Sequence, residues 1–541
     1  MMARMLYCVV FCFWASAVCG IFAAVSADTL PLVPAPKSIE SAGKSVFEMP
    51  NTVTISAPKS LAGEAGILKK ILKKRLGVTA VPGEKAQANI VLGISRRIKN
   101  REGYALKISR DGISLVGATP AGVYYGIRTL EQLLISQKKR LPELKIADEP
   151  RFSYRGLMLD PARNFLPLKD VKHFVETMAA YKFNVLHFHL SDDQGWRVEI
   201  KNPKYKKLMN VGARENKPSG TRGYYTQKEI RELVAFAAKH HVEIIPEIDM
   251  PGHNMGAIFS YPELTCEYVH RVNDNPGLLS QNPKMKIEIW DRAGVSEALL
   301  CAGKKSTYAF FDDVLGELCR LFPSKRFHLG GDEAPAKCWD HCKDCQAFMK
   351  KEKLKNTQEL MAFFFQRNFD ALAKAGKTAL YWYELDVPKY PKNAVMYAWR
   401  MGFTSQAIDR ALREGYKVIC CPGEYAYLDY PQAEGEPNHG WMPRTTLKRS
   451  YEFDPGYGRP KNEEASILGC EGTLWAEHLP TLEKIYQKAY PRALALVEAG
   501  WTPMERRNWE NFKQRAAPLV RDMRKNGISA HWPSDEFGAE K

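Results

Sequence analysis

Long apolar runs are scarce in this 541-residue chain, and none after residue 27 is long enough to cross a bilayer. The sequence also lacks a helix-long basic stripe and a nucleic-acid recognition module, although its formal charge is +17. Its lysines are scattered, so solvated surfaces explain the charge better than a nucleic-acid partner does, and an anionic polymer stays open as a partner. The composition is typical of a globular protein, and the length predicts at least two domains.

The first apolar segment has the pattern of a targeting peptide. Arg4 supplies a positive start, residues 6–18 form an apolar core, and residues 24–27 are small, as at a cleavage site. We therefore predict a signal peptide over residues 1–27 and export to the periplasm or the extracellular space. No integral membrane segment is expected after cleavage.

Cysteine is sparse. Three of the 12 cysteines lie in the predicted signal peptide, so an odd number remains and at least one thiol is unpaired within the chain. Export permits disulfides, and Cys266 and Cys301, which bracket a long loop, are the candidate pair. Cys338, Cys342 and Cys345 superficially resemble zinc ligands, but no second Cys-x-x-Cys accompanies them. We therefore favour a loop disulfide or reduced thiols and expect no metal, with a zinc hydrolase as the alternative.

Residues 28–150 predict a smaller α+β domain. An amphipathic helix over residues 61–76, a hairpin pattern that turns at residues 111–112 and a second helix after Thr119 favour one sheet covered by helices. No cluster of residues in this part of the chain suggests chemistry.

From residue 151 the pattern changes to short apolar runs that alternate with amphipathic helices, which is typical of βα units. Eight such units predict a (β/α)8 barrel over residues 151–505, preceded by the α+β domain and followed by a C-terminal helix and tail over residues 506–541. The runs are 154–160, 184–190, 242–250, 326–332, 378–384, 394–400, 417–422 and 467–475.

The fourth run ends in two glycines and two adjacent acids, Asp332 and Glu333. Catalytic groups of (β/α)8 enzymes lie at the C-terminal ends of the strands, and glycine lets a ligand approach the backbone. Two unpaired, ionised neighbours would repel each other, so the pair favours acid/base chemistry. The alternative is a solvated Asp-Glu turn after a strand.

Acids and aromatic residues recur after nearly every run. Pyranose rings present apolar C–H faces that stack on tryptophan, and hydroxyls that bind carboxylates and arginine, so this pattern favours a sugar-binding pocket. For His253 alone, a structural histidine is the alternative. The candidate residues are Arg155, Asp192, His253, Trp382, Trp399, Tyr427, Asp429, Trp475 and Glu477.

At these positions the sequence resembles glycoside hydrolase family 20, the β-N-acetylhexosaminidases. Residues 124–130 are similar to the N-terminal domain of that family. The barrel motifs that carry the resemblance are YRGLMLD (154–160), HLSDDQGWR (189–197), PEIDMPGH (246–253), HLGGDE (328–333), YLD (427–429) and LWAE (474–477).

The resemblance implies an exo-acting, retaining hydrolase that removes terminal β-linked GlcNAc or GalNAc from a glycan, with the 2-acetamido group of the substrate as nucleophile. It implies that Glu333 is the general acid/base, with its pKa raised, and that Asp332 holds the acetamido N–H and stabilises the positive intermediate. Asp192 and His253 would form a polar relay that tunes Glu333. No cofactor is implied.

The resemblance also assigns substrate contacts. Arg155 would bind ring hydroxyls, Asp429 and Glu477 would bind the O4/O6 side, and Tyr427 would orient the acetamido oxygen. The tryptophans Trp382, Trp399 and Trp475 would wall the ring and its acetyl group. The chain departs from the family at Asn164, where a histidine is usual. A lacto-N-biosidase and a non-catalytic glycan-binding protein are the alternatives.

Overall fold

The computed structural model describes residues 30–214, 222–437 and 440–540, so the predicted signal peptide lies outside the described residues. The N-terminal region forms one mixed seven-stranded sheet in the order β1-β7-β5-β6-β4-β2-β3. The strands β1, β7, β5 and β6 pair antiparallel, and the pairs from β6 to β3 are parallel. The strands are β1 (Ser38–Glu48), β2 (Thr52–Ser56), β3 (Thr79–Pro82), β4 (Ile90–Ile94), β5 (Tyr104–Ser109), β6 (Gly112–Gly117) and β7 (Arg140–Asp148).

Two helices cover one face of this sheet, as the sequence predicts. The helix α1 (Ala62–Leu76) buries Leu68 and Leu72, and α2 (Pro120–Gln137) packs on β5 and β6. Residues 122–134 of α2 are all buried, because the barrel covers the side of the helix that faces away from the sheet. The small domain is thereby joined to the catalytic domain along most of a helix.

Eight parallel strands close into a barrel, and each contains part of one of the eight predicted runs, so the predicted fold is confirmed. Strand β8 pairs with β9 and with β17, which closes the barrel. A short hairpin, β10 and β11, follows β9. The strands are β8 (Tyr154–Leu159), β9 (Val185–His189), β10 (Ser191–Asp192), β11 (Gly195–Trp196), β12 (Glu243–Glu247), β13 (Arg326–His328), β14 (Thr378–Trp382), β15 (Val395–Ala398), β16 (Lys417–Cys420) and β17 (Ile467–Leu474).

Helices surround the barrel and occupy its longer loops. Within the described residues, none of them has an apolar stretch sufficient to span a bilayer. They are α3 (Leu168–Ala180), α4 (Gln227–Lys239), α5 (Met255–Ser260), α6 (Glu267–Asp274), α7 (Lys305–Leu321), α8 (Lys337–Asp340), α9 (Lys343–Glu352), α10 (Thr357–Lys374), α11 (Thr404–Glu414), α12 (Gly423–Ala426), α13 (Leu447–Glu452), α14 (Leu482–Ala489), α15 (Arg492–Trp501), α16 (Trp509–Lys525) and α17 (Ser534–Phe537).

The predicted disulfide between Cys266 and Cys301 is wrong, because both residues are free thiols. The Cys266 sulfur lies 3.9 Å from the Cys345 sulfur, and the Cys301 sulfur lies 3.7 Å from the Cys342 sulfur. A disulfide bond measures about 2.05 Å. The two ends of the loop therefore approach a third segment, which the sequence interpretation treated separately.

Candidate active site

The turn after β13 brings the two adjacent acids into one cavity. Gly330 and Gly331 have φ angles of 64° and 102°, in the left-handed region that favours glycine. A Cβ atom on Gly330 would lie 1.7 Å from a carboxylate oxygen of Asp249, so no larger residue fits there. The turn leaves Asp332 buried and Glu333 with 42% of its side chain exposed, both lining a cavity of about 380 Å³.

The cavity has an aromatic wall and a polar end. Trp399 and Tyr427 are stacked with 6.4 Å between ring centroids, and Trp475 lies 6.4 Å from Tyr427. Such a wall suits an apolar sugar face and an acetyl group. Four residues of the loop between Cys266 and Cys301 also line the cavity, namely Lys284, Ala293, Gly294 and Val295.

Trp382 lies behind this wall. It is fully buried, its ring centroid is 5.6 Å from that of Trp475, and its indole N–H donates to Glu247 at 2.8 Å. It therefore supports the wall from the barrel interior. The carboxylate of Glu247 also contacts His328 at 2.8 Å, so a polar network fills the barrel beneath the cavity.

The predicted relay of Asp192 and His253 reaches the acid pair. The His253 Nδ1 atom lies 3.1 Å from Asp192, and its Nε2 atom lies 3.5 Å from Glu333 and 3.7 Å from Asp332. Burial alone would lower the pKa of His253, but the charges of Asp192 and Asp332 raise it well above its usual range. The His253 ring therefore lies between three carboxyl groups, and their charges favour its protonated form.

The two acids differ in proton affinity, but in the opposite sense to the prediction. Burial, with a further contribution from the charge of Glu333, raises the pKa of Asp332 to about 6 despite the opposing charge of His253. Burial would also raise the pKa of Glu333, but the hydrogen bond and charge of His253, with Arg163 and Arg400, lower it. The expectation of a raised Glu333 pKa is wrong for the protein without substrate, because the nearby cations outweigh burial.

The position of Arg155 contradicts its predicted contact with the sugar. It lies at the N-terminal end of β8, opposite the active face, and its guanidinium forms two 3.0 Å hydrogen bonds to Glu102 of the small domain. Arg163, in the loop after β8, lines the cavity instead. Its guanidinium contacts Asp192 at 2.9 Å and Glu477 at 3.2 Å.

Arg163 was missed because the sequence shows two arginines near one strand and does not show which end of the strand each occupies. The available signal was its position three residues after Asp160, at the C-terminal end of the run. The structure pairs Arg163 with Asp160 at 3.0 Å. The neighbouring Asn164, which departs from the family pattern, is buried and donates to the carbonyl of Ala476.

Asp429 and Glu477 lie near each other. Burial, followed by the charge of Glu477, raises the pKa of Asp429 to about 8, and one of its carboxylate oxygens has no hydrogen-bond partner within the described residues. Glu477 lines the cavity beside Arg163. Arg163 and Glu477 can bind hydroxyls from the cavity wall, whereas Asp429 is not one of the residues that line the cavity. Other lining residues that the sequence interpretation missed are Tyr430, Trp441, Met442 and His478.

Comparisons with known proteins identify the family. The model of "Glycosyl hydrolase family 20, catalytic domain" matches residues 152–504, and that of "Glycosyl hydrolase family 20, domain 2" matches residues 29–149. A beta-hexosaminidase of Akkermansia muciniphila is 41% identical over 423 residues, which cover 77% of this chain and 82% of that relative.

Solved structures agree with this. A crystal structure of a beta-N-acetylhexosaminidase superposes with a TM-score of 0.78 at 35% identity, covering 94% of this chain and 98% of the other. The GH20 exo beta-N-acetylglucosaminidase of Vibrio harveyi in complex with N-acetylglucosamine superposes with a TM-score of 0.81 at 28% identity, covering 93% and 79%. The chain therefore belongs to glycosyl hydrolase family 20 and is a glycoside hydrolase of the β-hexosaminidase class.

Proposed function

We propose that the protein is an exported exo-β-N-acetylhexosaminidase that removes terminal β-linked GlcNAc or GalNAc with retention of configuration. The observation that carries this proposal is the convergence of Asp332 and Glu333 on one aromatic-walled cavity. Adjacent carboxyl groups on one turn suit substrate-assisted chemistry, in which the substrate supplies the nucleophile and one carboxyl supplies only a proton. The Vibrio harveyi relative was solved with N-acetylglucosamine, which supports the same sugar class.

In the first step, the acetamido oxygen of the substrate forms a bond to the anomeric carbon while the glycosidic C–O bond breaks. Glu333 gives its proton to the leaving oxygen. Asp332, as the carboxylate, accepts the acetamido N–H and stabilises the positive charge of the oxazolinium ring. In the second step, Glu333 takes a proton from water, which attacks the anomeric carbon and reopens the ring. Two inversions give net retention.

The relay explains how Glu333 obtains its proton. In the free protein the raised pKa of His253 favours a proton on its ring, whose Nε2 atom is 3.5 Å from Glu333. A bound sugar removes water from the exposed Glu333 carboxylate, which raises its proton affinity. The proton then moves from His253 to Glu333, and Asp192, hydrogen-bonded to the other ring nitrogen, retains the orientation of the imidazole.

The polar end of the cavity supports exo action rather than disaccharide release. Arg163, paired with Asp160 at 3.0 Å and with Glu477 at 3.2 Å, occupies this end. A lacto-N-biosidase needs space beyond the sugar that carries the acetamido group. A non-catalytic glycan-binding protein would need neither the proton relay nor the strained turn, in which Glu333 has a φ angle of 44°.

A panel of aryl β-hexosaminides and β-linked oligosaccharides tests this proposal. We expect release of single N-acetylhexosamine residues from the non-reducing end, and aryl β-glucosides, which lack the acetamido group, should react at least about 10³-fold more slowly because they provide no nucleophile. Proton NMR of the first product should show the β-anomer. Release of a disaccharide, or of the α-anomer first, would contradict the proposal.

Export is also part of the proposal and depends on the pattern of residues 1–27. N-terminal sequencing of the protein from its native host should begin at Asp28. Retention of the peptide in a cytoplasmic fraction would contradict export without affecting the proposed hydrolysis.

A further inference from the structure

Four cysteine sulfurs meet at one buried point outside the active site. Cys266, Cys301, Cys342 and Cys345 are free thiols with no exposed surface, and their sulfur atoms all lie within 4.8 Å of one another. The shorter separations are 3.6 Å for Cys301–Cys345, 3.7 Å for Cys301–Cys342 and 3.9 Å for Cys266–Cys345.

These separations match the edges of a tetrahedral metal site. Zinc–thiolate bonds of about 2.3 Å in a regular tetrahedron place neighbouring sulfurs about 3.8 Å apart. A multi-iron cluster requires a wider set of sulfurs, and magnesium or calcium prefers oxygen ligands. We propose that these four cysteines bind one structural Zn²⁺ ion.

Three segments of the chain supply the ligands. Cys266 precedes α6, and Cys301 lies beside the antiparallel bridge between Thr265 and Leu300. Cys342 and Cys345 form a Cys-x-x-Cys turn at the start of α9. The sequence interpretation considered Cys338, Cys342 and Cys345 as zinc ligands and therefore found an incomplete set. The remaining two ligands, Cys266 and Cys301, lie at the two ends of the loop that was expected to be closed by a disulfide.

The surroundings suit thiolates. On binding, each of the four thiols loses its proton to solvent, so the site carries a net charge of −2. Cys266 and Cys342 stand at the N-terminal ends of α6 and α9, where the helix dipole is positive. The backbone segments that carry Cys301 and Cys345 also pack tightly against each other, since a Cβ atom on Gly303 would lie 2.3 Å from the carbonyl carbon of Asp344.

The site is structural because all four of its ligands are buried thiolates, which leave no position of a tetrahedral ion for a substrate. Its position ties the active-site loop to the barrel. Cys266 and Cys301 hold both ends of the loop that carries Lys284, Gly294 and Val295 to the cavity wall. Loss of the ion should therefore loosen that wall rather than remove a reacting group.

Metal analysis of the full chain, purified with a reductant and without chelator, is the primary test. We expect one zinc per chain. Cys301→Ser and Cys342→Ser should each lose it, whereas Cys319→Ser, a buried thiol of α7 outside the set, should keep it. Cys338→Ser is the sharper control, because Cys338 is buried beside Cys266 but its sulfur is not one of the four. Loss of zinc in Cys338→Ser would overturn the assigned ligand set.

Wild-type protein alone also decides the question if the variants do not fold. A strong chelator should remove the zinc, lower Tm by at least about 5 °C and raise KM more than it lowers kcat. Cobalt in place of zinc should give the visible absorption of a tetrahedral thiolate site.

Three results would overturn the proposal. The first is one iron per chain in place of zinc. The second is protein that contains no metal and whose four cysteines are free thiols. The third is an intact mass lower by four hydrogens, which would indicate two disulfides. Metal content and Tm do not depend on turnover. The zinc site can therefore be disproved while the proposed hydrolysis stands, and the hydrolysis can be disproved while the zinc site stands.

Discussion

Glu333→Gln is expected to lower kcat on oligosaccharides by about 10²–10⁴-fold, which is the usual contribution of a positioned proton donor. The glutamine keeps the shape of the side chain but cannot protonate the leaving oxygen. In kcat/KM, which reports the first step, the loss should shrink on aryl hexosaminides whose phenol leaves without a proton, because the acid no longer contributes to that departure. Measuring kcat/KM across aryl leaving groups of graded acidity would show a steeper dependence in the variant than in the wild type.

Glu384→Gln is the matched control. The carboxylate of Glu384 accepts the backbone N–H of Glu333 at 3.2 Å, so its loss disturbs the same turn without removing the proposed acid. Glu384→Gln should therefore lower kcat/KM by the same factor for every leaving group. Near-wild-type activity of Glu333→Gln on oligosaccharides, or an equal loss on all aryl substrates, would refute the role of Glu333.

Asp332→Asn should lower kcat/KM by about 10²–10³-fold, as expected when one group that stabilises the developing charge is removed. The amide occupies the same space but cannot balance a positive ring. Affinity for a thiazoline mimic of the cyclised acetamido group should fall by a comparable factor. Binding of free N-acetylglucosamine, which carries no such charge, should survive largely intact.

The pH profile gives Asp332 a second signature. Its pKa is raised to about 6 and its ionised form is the active one, so wild-type kcat/KM should decline as the pH falls through about 6. Asp332→Asn has no proton to gain there and should lack that decline. A variant that still binds the thiazoline tightly, or that keeps the acidic limb, would contradict the proposed role of Asp332 in stabilising the positive ring.

The barrel could be predicted from sequence because its strands are short, buried and separated by helices of regular period. The same pattern located Asp332 and Glu333, since a strand end fixes the direction in which the next side chains emerge. Arg155 was assigned wrongly for a related reason. A motif gives the strand, but the end at which an arginine lies depends on where the strand begins, and β8 begins at Tyr154.

Charges and long-range contacts also limited what could be predicted about the site from the sequence. The lowered pKa of Glu333 results from His253, Arg163 and Arg400, which reach it from three different barrel loops. No local sequence pattern indicates the combined effect of these three charges on the pKa of Glu333. The cysteine cluster was likewise split in sequence, because its pairs lie on either side of α7 and only tertiary folding brings them together.

The contacts of Arg155 bear on how the two folds depend on each other. Its guanidinium is fully buried and fixed to Glu102, while Lys182 and Trp501 of the barrel both bind Asp148 of the small domain, at 3.0 and 2.9 Å. A barrel excised at the boundary would lose the counterions of both cations together with the surface that covers them. The catalytic half is therefore not an autonomous module, and grafting it onto another scaffold would require transplanting its N-terminal companion as well.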